Sequence, residues 1–237
     1  MIGKNVIIKR IARSPRMYLE VMPNHFLWMG KNQRRVFFRL LRQVIKRKVS
    51  GAILEVGVAE GHTSAFIARV MRHLNCKKEF HVYDSFKGMP SPSVEDGEDN
   101  MLSEGDLAVK KGKYKCVFRN MIGGELPIIH QGWIENTMPK ELPEKIAFAY
   151  IDVDFYKPTL HALESIYPRL SPGAVVIVDD YNHPRLAGIA PAVEKFFADK
   201  PEEFIVIPPC EDYTDNKSQV YFIKAQSHQQ SPSSHSE

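Results

Sequence analysis

Residues 52–61 read AILEVGVAEG, a short and mostly apolar run that leads directly into a turn containing Gly57 and Gly61. A helical pattern follows from His62 to Leu74. The same order recurs along the chain, with further apolar runs at 80–83, 126–130, 146–151 and 174–178 and a second helical pattern over about 159–170. Because these runs are continuous rather than alternating, they are typical of strands buried on both faces by helices. The sequence therefore predicts an α/β fold with a parallel sheet.

The last part of the chain breaks this order. A helical pattern at about 189–198 is followed by apolar runs at 204–207 and 220–223, with only two prolines and a polar loop between them. Without a crossover helix, two such strands pair most easily as antiparallel neighbours. We therefore expect a seven-stranded, mostly parallel sheet with an antiparallel last strand and helices on both faces. This layout is similar to the Rossmann-like fold of class I S-adenosylmethionine methyltransferases.

Composition indicates a soluble globular protein, since the 237 residues are 43% hydrophobic and 25% charged. The three cysteines lack a C-x-x-C spacing, so we expect neither a disulfide framework nor a zinc site, and we predict a reducing, cytoplasmic location. The sequence shows no signal-peptide pattern and no apolar run long enough for a transmembrane segment. We expect residues 51–224 to form the methyltransferase-like domain and the Ser-, Gln- and His-rich residues 225–237 to be a disordered tail.

Residues 1–50 differ from the rest in charge, with thirteen Lys and Arg against Glu20 alone. We expect them to form a basic helical N-terminal lid or arm. Within it, residues 34–48 place six apolar side chains on one stripe of a helix. One interpretation is a solvated charged face whose stripe packs on the domain; another is a surface for nucleic acid, a membrane or another anionic partner. The apolar stripe also suggests a homodimer.

The glycine turn indicates which nucleotide binds. The chain lacks G-x-x-x-x-G-K-[ST], and Ala59 stands where G-x-G-x-x-G requires its second glycine. Residues 51–68 contain no Lys or Arg, whereas Glu55 and Glu60 lie in or beside the turn. Two carboxylates repel a pyrophosphate but suit the sulfonium and ammonium of S-adenosylmethionine. Thr63 or Ser64 is expected to cap the following helix.

Acidic residues also end later strands. Asp84 follows the second strand, about twenty residues after the turn, where an acid commonly binds ribose hydroxyls. Asp152 and Asp154 follow the fourth strand, and Asp179 and Asp180 follow the fifth. Because parallel strands end at one edge, we expect these carboxylates to converge there and to require a counter-charge. No Lys or Arg lies beside them in sequence except one lysine, so Mg²⁺ or a similar divalent cation is predicted.

A metal there would hold a substrate hydroxyl, and Asp154 is our candidate for the base that takes its proton. His183 is the alternative base. The opposing interpretation is that Asp179 and Asp180 merely begin a loop while Asp152 faces the cofactor. Trp133, after the third strand, either stacks on adenine or covers the sheet edge.

Five separated segments resemble one family, the macrocin O-methyltransferase (TylF-like) enzymes, which are metal-dependent and modify sugar hydroxyls of natural products. The segments are EVGV at 55–58, DSFKGMP at 84–90, GWIENTMP at 132–139, DVDFYKPT at 152–159 and PGAVVIVDDY at 172–181. The resemblance implies metal ligands at Asp152, Asp179 and Asp180, a general base at Asp154 and a ribose-binding acid at Asp84. Together with the turn, it gives these expected cofactor contacts: Glu55, Gly57, Glu60, Gly61, Thr63, Ser64, Asp84, Ser85, Gly132, Trp133 and Asp152.

The sequence departs from that family at two places. Residues 59–61 read AEG where the family usually has Trp-Arg-Gly, and the first fifth of the chain shows little of its pattern. The predicted function is O-methylation of a hydroxyl on a sugar or another small natural product. The alternatives are a nucleic-acid methyltransferase that uses the basic arm, disfavoured because residues 152–155 read DVDF rather than Asn or Asp before Pro-Pro, and a non-catalytic module that binds anionic surfaces.

Overall fold

The computed structural model describes residues 29–209 and 217–225. Six helices and seven strands are present in this part of the chain. In chain order they are α1 (Lys31–Lys46), β1 (Ala52–Val56), α2 (His62–His73), β2 (Phe80–Asp84), α3 (Lys111–Ile122), β3 (Ile128–Gln131), α4 (Ile134–Glu141), β4 (Ile146–Ile151), α5 (Tyr156–Ile166), β5 (Leu170–Val178), α6 (Ile189–Phe197), β6 (Ile205–Ile207) and β7 (Gln219–Ile223). Short 3₁₀ turns occur at Val94–Asp96 and Tyr167–Arg169.

The seven strands form one sheet in the order β3-β2-β1-β4-β5-β7-β6. Strands β1 to β5 are parallel, and β7 is antiparallel to both β5 and β6. The register places Val56 opposite Ile151, and Ile151 opposite Val178. The carboxyl ends of the central strands therefore meet at one edge, and the predicted fold class is confirmed.

Helices cover both faces because the strands are apolar on both sides. Every residue of β1 and β4 is buried. Helix α2 contacts α1 and α3, whereas α5 contacts α4 and α6. None of the described helices is long and apolar enough to cross a membrane.

Helix α1 packs into the core of the domain rather than standing apart from it. Phe37 is completely buried, and its ring lies against those of Phe66, Phe148 and Tyr150 at centroid distances of 5.0–5.3 Å. The apolar stripe is thus covered by this chain and gives no support to the homodimer prediction. Residues 1–28 of the predicted arm, and the predicted tail after residue 225, lie outside the described residues.

The sequence analysis missed two helices and misplaced the start of a third. Helix α3 buries only three apolar side chains spaced four apart, and α4 contains Pro139 in its last turn, so both show weak helical patterns. Helix α5 begins at Tyr156 rather than about residue 159 because Pro158 lies in the first turn, where a missing N–H costs no helical hydrogen bond.

Candidate active site

In the turn after β1, the backbone lies in close contact with the backbone at the ends of β2 and β4. Gly57 has φ +81°, and its N–H donates to the Tyr83 carbonyl at 2.9 Å. A Cβ built on Gly57 would lie 1.8 Å from the carbonyl oxygen of Asp152. Gly61 has φ +89°, and a Cβ there would lie 2.7 Å from the Tyr114 ring. Only glycine fits the backbone at these two positions.

Glu55 is completely buried beneath this turn. One carboxylate oxygen accepts from the Ser64 hydroxyl, which in turn accepts from the Tyr114 hydroxyl at 3.1 Å. The other oxygen, Oε1, has no hydrogen-bond partner among the described residues. Burial raises the pKa of Glu55 well above its usual range, and the nearby Asp84 charge adds to this, whereas the Ser64 hydrogen bond opposes it. A buried carboxylate with a free acceptor therefore lies at the carboxyl edge of β1.

The predicted helix cap at Thr63 or Ser64 is wrong. Gly61 is the N-cap residue of α2, in a left-handed conformation and with no side-chain cap. The Ser64 hydroxyl donates to Glu55 instead, because a completely buried carboxylate is costly without a hydrogen-bond donor.

Asp84 links the glycine turn to the loop that follows β2. Its Oδ2 accepts from the Val58 N–H at 2.9 Å, and its Oδ1 accepts from the Phe86 N–H at 2.6 Å. Burial raises its pKa, and these backbone donors oppose that rise. Ser85 accepts from the Lys87 N–H and donates to the Gly88 carbonyl, so its hydroxyl shapes the loop.

The remaining predicted cofactor contacts lie around this edge. Glu60 forms an ion pair with Lys113, whose hydrogen bond lowers the Glu60 pKa. The Gly132 N–H donates to the Asp84 carbonyl at 2.9 Å, extending the sheet hydrogen bonding by one residue. Trp133 is half-buried and occupies the N-cap position of α4, without a side-chain capping hydrogen bond. The ion pair with Lys113 offsets the charge of Glu60, so the turn is less negative than the sequence suggests.

Three of the four clustered carboxylates come together as one group. Oxygens of Asp152, Asp154 and Asp180 lie within 4.8 Å of one another. Asp179 points differently: its Oδ2 accepts from the buried Tyr150 hydroxyl at 2.7 Å, while its Oδ1 has no hydrogen-bond partner among the described residues. The predicted convergence is correct, but in this geometry Asp154 rather than Asp179 joins Asp152 and Asp180.

Electrostatics in this cluster favour protonation when no cation is bound. Burial raises the pKa of Asp152 well above its usual range, and the charges of Asp179 and Asp154 add to it. Burial, followed by the Asp179 charge, does the same for Asp180. Burial raises the pKa of Asp154 to about 6. Carboxylates this close repel one another strongly, so a bound cation would stabilise their ionised forms.

Two of the clustered residues have a left-handed backbone. Asp154 has φ +59° and Asp180 has φ +56°. Asp tolerates this region better than most residues because its short polar side chain can hydrogen-bond locally. Five other described residues that are not glycine also have positive φ, so this conformation does not by itself single out the cluster.

Sequence reasoning missed Lys217. Its Nζ lies 2.7 Å from Asp180 Oδ1 and 3.6 Å from Asp179 Oδ2, and its side chain is only 7% exposed. Burial disfavours this ammonium, but Asp179, Asp180 and Asp152 together raise its pKa. A cationic side chain that is distant in sequence therefore approaches the cluster, in addition to the one lysine beside it in sequence. The sequence around the aspartates gives no sign of Lys217, because this lysine lies far from them in sequence, just before the antiparallel strand β7.

His183 lies in the turn that follows Asp180. Its N–H donates to the Asp180 carbonyl at 3.0 Å, and its Nδ1 accepts from the Arg185 N–H at 3.2 Å. The side chain is half-buried beside the cluster but is not part of the three-carboxylate group.

Comparison with known proteins identifies the family. The family model described as macrocin-O-methyltransferase (TylF) matches residues 15–203. The chain therefore belongs to this family, as the five segments predicted.

Two relatives illustrate the similarity. The 8-demethyl-8-(2,3-dimethoxy-alpha-L-rhamnosyl)-tetracenomycin-C 4'-O-methyltransferase of Streptomyces olivaceus is 34% identical over 146 residues, which is 58% of this chain and 56% of that protein. The mycinamicin III 3''-O-methyltransferase of Micromonospora griseorubida is 29% identical over 151 residues, 60% of this chain and 59% of that protein. The chain thus spans less than two thirds of the length of these relatives.

Solved structures show the same fold. The O-methyltransferase NovP superposes with a TM-score of 0.63 and 27% identity over 80% of each chain. The calicheamicin methyltransferase CalS11 superposes with a TM-score of 0.65 over 80% of this chain and 79% of its own, at 22% identity.

Proposed function

We propose that this protein is an S-adenosylmethionine-dependent, divalent-metal-assisted O-methyltransferase whose acceptor is a hydroxyl of a sugar or another small natural product. The observation that carries the proposal is the group of three carboxylates, Asp152, Asp154 and Asp180, beside the Gly57 turn at the carboxyl edge of the sheet. Family membership and relatives named as sugar O-methyltransferases support it.

The cluster fits a hard cation. Its donors are all carboxylate oxygens, which Mg²⁺ prefers over nitrogen or sulfur. Asp152, Asp154 and Asp180 would hold the ion, with Asp179 Oδ1 available as a buried oxygen that lacks a hydrogen-bond partner. When bound, such an ion supplies a Lewis acid that lowers the pKa of an acceptor hydroxyl and fixes its position.

The acidic environment of the glycine turn suits the positively charged methionine part of the cofactor. Glu55 Oε1 lacks a hydrogen-bond partner in the described residues, so the positive charge of an ammonium bound in the turn above it would stabilise the ionised form of Glu55 without direct contact. Asp84 keeps acceptor capacity, since each of its oxygens has two lone pairs and accepts mainly from backbone N–H groups. We assign the turn to the methionine end of S-adenosylmethionine and Asp84 to the ribose.

Asp154 is the proposed general base. Burial raises its pKa to about 6 in the cation-free cluster, and a bound cation would lower it, so the carboxylate would be ionised near neutral pH and able to accept a proton. It would accept the acceptor hydroxyl proton as the oxygen attacks the methyl carbon. Because its carboxylate also lies within the three-residue group, one of its oxygens would face the cation and the other the substrate.

The acidic side chains at the sheet edge disfavour a nucleic-acid acceptor. Phosphates of a nucleic acid would meet several carboxylates at the sheet edge and be repelled. A neutral or cationic hydroxylated molecule would not, so we favour a small glycoside or phenol.

The test is a methyl-transfer assay with radiolabelled S-adenosylmethionine against a panel of glycosides and phenols. We expect transfer with Mg²⁺, loss of transfer in EDTA and recovery when Mg²⁺ is restored. Activity that persists after thorough chelation would refute the metal role. Calorimetry provides the second measurement: folded protein that binds neither S-adenosylmethionine nor S-adenosylhomocysteine would refute the enzyme assignment itself.

A further inference from the structure

Lys217 is a buried cation in a cluster of acids. Its side chain is 7% exposed, and its ammonium contacts Asp180 at 2.7 Å and Asp179 at 3.6 Å. A buried ammonium is costly unless acidic partners surround it, as they do here. Its ion pairs reach Asp179 and Asp180 but not Asp152 or Asp154, so oxygens of the cluster remain available to a dication.

The backbone around Lys217 is held firmly in place. Its carbonyl accepts from Gln33 Nε2 at 2.8 Å, and Gln33 is itself buried, with its Oε1 accepting from the Gly30 N–H at 2.9 Å. The next carbonyl, that of Ser218, accepts from the Tyr181 N–H at 2.9 Å. Helix α1 and the segment after β5 therefore both fix the position of this lysine.

We propose that Lys217 is a positioning residue that acts as an internal counter-cation: it holds Asp179 and Asp180 in place while no metal is bound, and it weakens the affinity of the cluster for a divalent cation. This inference rests on the proposed function. The physical reason is that the ammonium and the metal attract the same carboxylates and repel each other across a short, poorly screened distance. Such a lysine keeps the metal-free chain folded and makes metal binding readily reversible.

The experiment compares the full-length chain with Lys217→Met at pH 7.5, using Mn²⁺ as the probe. Free Mn²⁺ is measured by electron paramagnetic resonance, and Tm is measured in EDTA and in Mn²⁺. We expect Lys217→Met to bind Mn²⁺ about tenfold or more tightly. We also expect it to melt earlier than the wild type in EDTA, since its carboxylates have lost their partner, and to gain more Tm from Mn²⁺.

Lys224→Met is the matched control. Lys224 is a half-buried lysine seven residues after Lys217, and its ammonium contacts Glu202 and Tyr167 at 2.7 and 2.8 Å, away from the cluster. It should lower Tm without changing Mn²⁺ affinity.

Each outcome decides the inference. Mn²⁺ affinity that is unchanged or weaker in folded Lys217→Met, while the wild type binds Mn²⁺, overturns the role of Lys217 and leaves the proposed function intact. Absence of Mn²⁺ binding in both folded proteins refutes the metal site and this inference with it. If Lys217→Met folds only with Mn²⁺, the inference is supported. If it folds under neither condition, Lys217→Gln decides, because it removes the charge but keeps a hydrogen-bond donor for the carboxylates: tighter Mn²⁺ binding supports the inference, and unchanged binding overturns it.

Discussion

Gly57→Ala tests the backbone contact on which the candidate site depends. The added Cβ would lie 1.8 Å from the Asp152 carbonyl oxygen and 2.8 Å from its carbon. Both atoms belong to the backbone, so no side chain can rotate away. The ends of β1 and β4 would have to separate by more than 1 Å to reach an ordinary contact of 3.4 Å or more. That movement would displace the turn and Asp152 together.

Two terms contribute to the expected loss of stability. The left-handed conformation at φ +81° costs an alanine about 1–2 kcal/mol. The steric overlap adds roughly 1–3 kcal/mol, as overpacking of a rigid site does. Gly105 separates the two terms, because it has φ +85° and a Cβ there would meet nothing within 4 Å. We therefore expect a loss of about 1–2 kcal/mol for Gly105→Ala and about 2–5 kcal/mol for Gly57→Ala.

Urea unfolding of both variants gives the free energies of unfolding, and calorimetry with S-adenosylhomocysteine gives the affinities. Gly57→Ala should lose most cofactor affinity, whereas Gly105→Ala should keep it. Equal destabilisation of the two variants, or unchanged affinity in Gly57→Ala, would refute the close contact as the element that shapes the site.

The other predictions concern the carboxylates and one buried histidine. Asp154→Asn should keep its affinity for S-adenosylhomocysteine while methyl transfer falls about 10²–10⁴-fold; full activity would place the base elsewhere, with His183 as the next candidate. Tyr150→Phe removes the hydroxyl that donates to Asp179 at 2.7 Å and should lower the free energy of unfolding by about 1–3 kcal/mol in urea titrations; no loss would mean that the hydrogen bond is dispensable. Burial lowers the pKa of His81, so below about pH 6.5 the unfolded chain binds a proton that the folded chain resists, and stability should fall as pH falls. His81→Gln should flatten that dependence in denaturation measured from pH 5 to 8, and an unchanged slope would exclude His81 as its source.

Much of the fold could be predicted from the sequence because parallel strands buried on both faces produce continuous apolar runs. The runs at 52–56 and 146–151 match β1 and β4 residue for residue. The antiparallel end followed from the lack of a helical pattern between 204–207 and 220–223. Helices α3 and α4 were missed because each buries only three side chains in a mostly polar stretch. A helix that contributes little to the core has little apolar pattern to detect.

The residues of the candidate site that follow strand ends could be predicted from the sequence. The residues that reach the site from elsewhere in the sequence could not be identified in this way. Asp152 and Asp180 converge because β4 and β5 are neighbours in register. Lys217 reaches the same cluster because of the strand order and direction in the sheet. An antiparallel β7 begins at the edge where β5 ends, with Val220 opposite Val178. The residues just before such a strand can therefore reach the carboxyl edge. The predicted antiparallel direction of β7 was thus sufficient to suggest that a residue such as Lys217 lies near the aspartates.

Acidic residues counted from the sequence overstate the negative charge that a ligand would meet at this edge. Glu60 is paired with Lys113, and Asp84 accepts from backbone N–H groups on both oxygens. Asp179 is held by the Tyr150 hydroxyl and the Lys217 ammonium. Asp180 is paired with the same ammonium at 2.7 Å. Among the other described acids at this edge, Glu55 beneath the turn and the neighbouring pair Asp152 and Asp154 lack an ion pair. Because β1, β4 and β5 are neighbours in the sheet, these acids lie along one edge. The negative charge that remains there is the reason that we propose cationic ligands for this site.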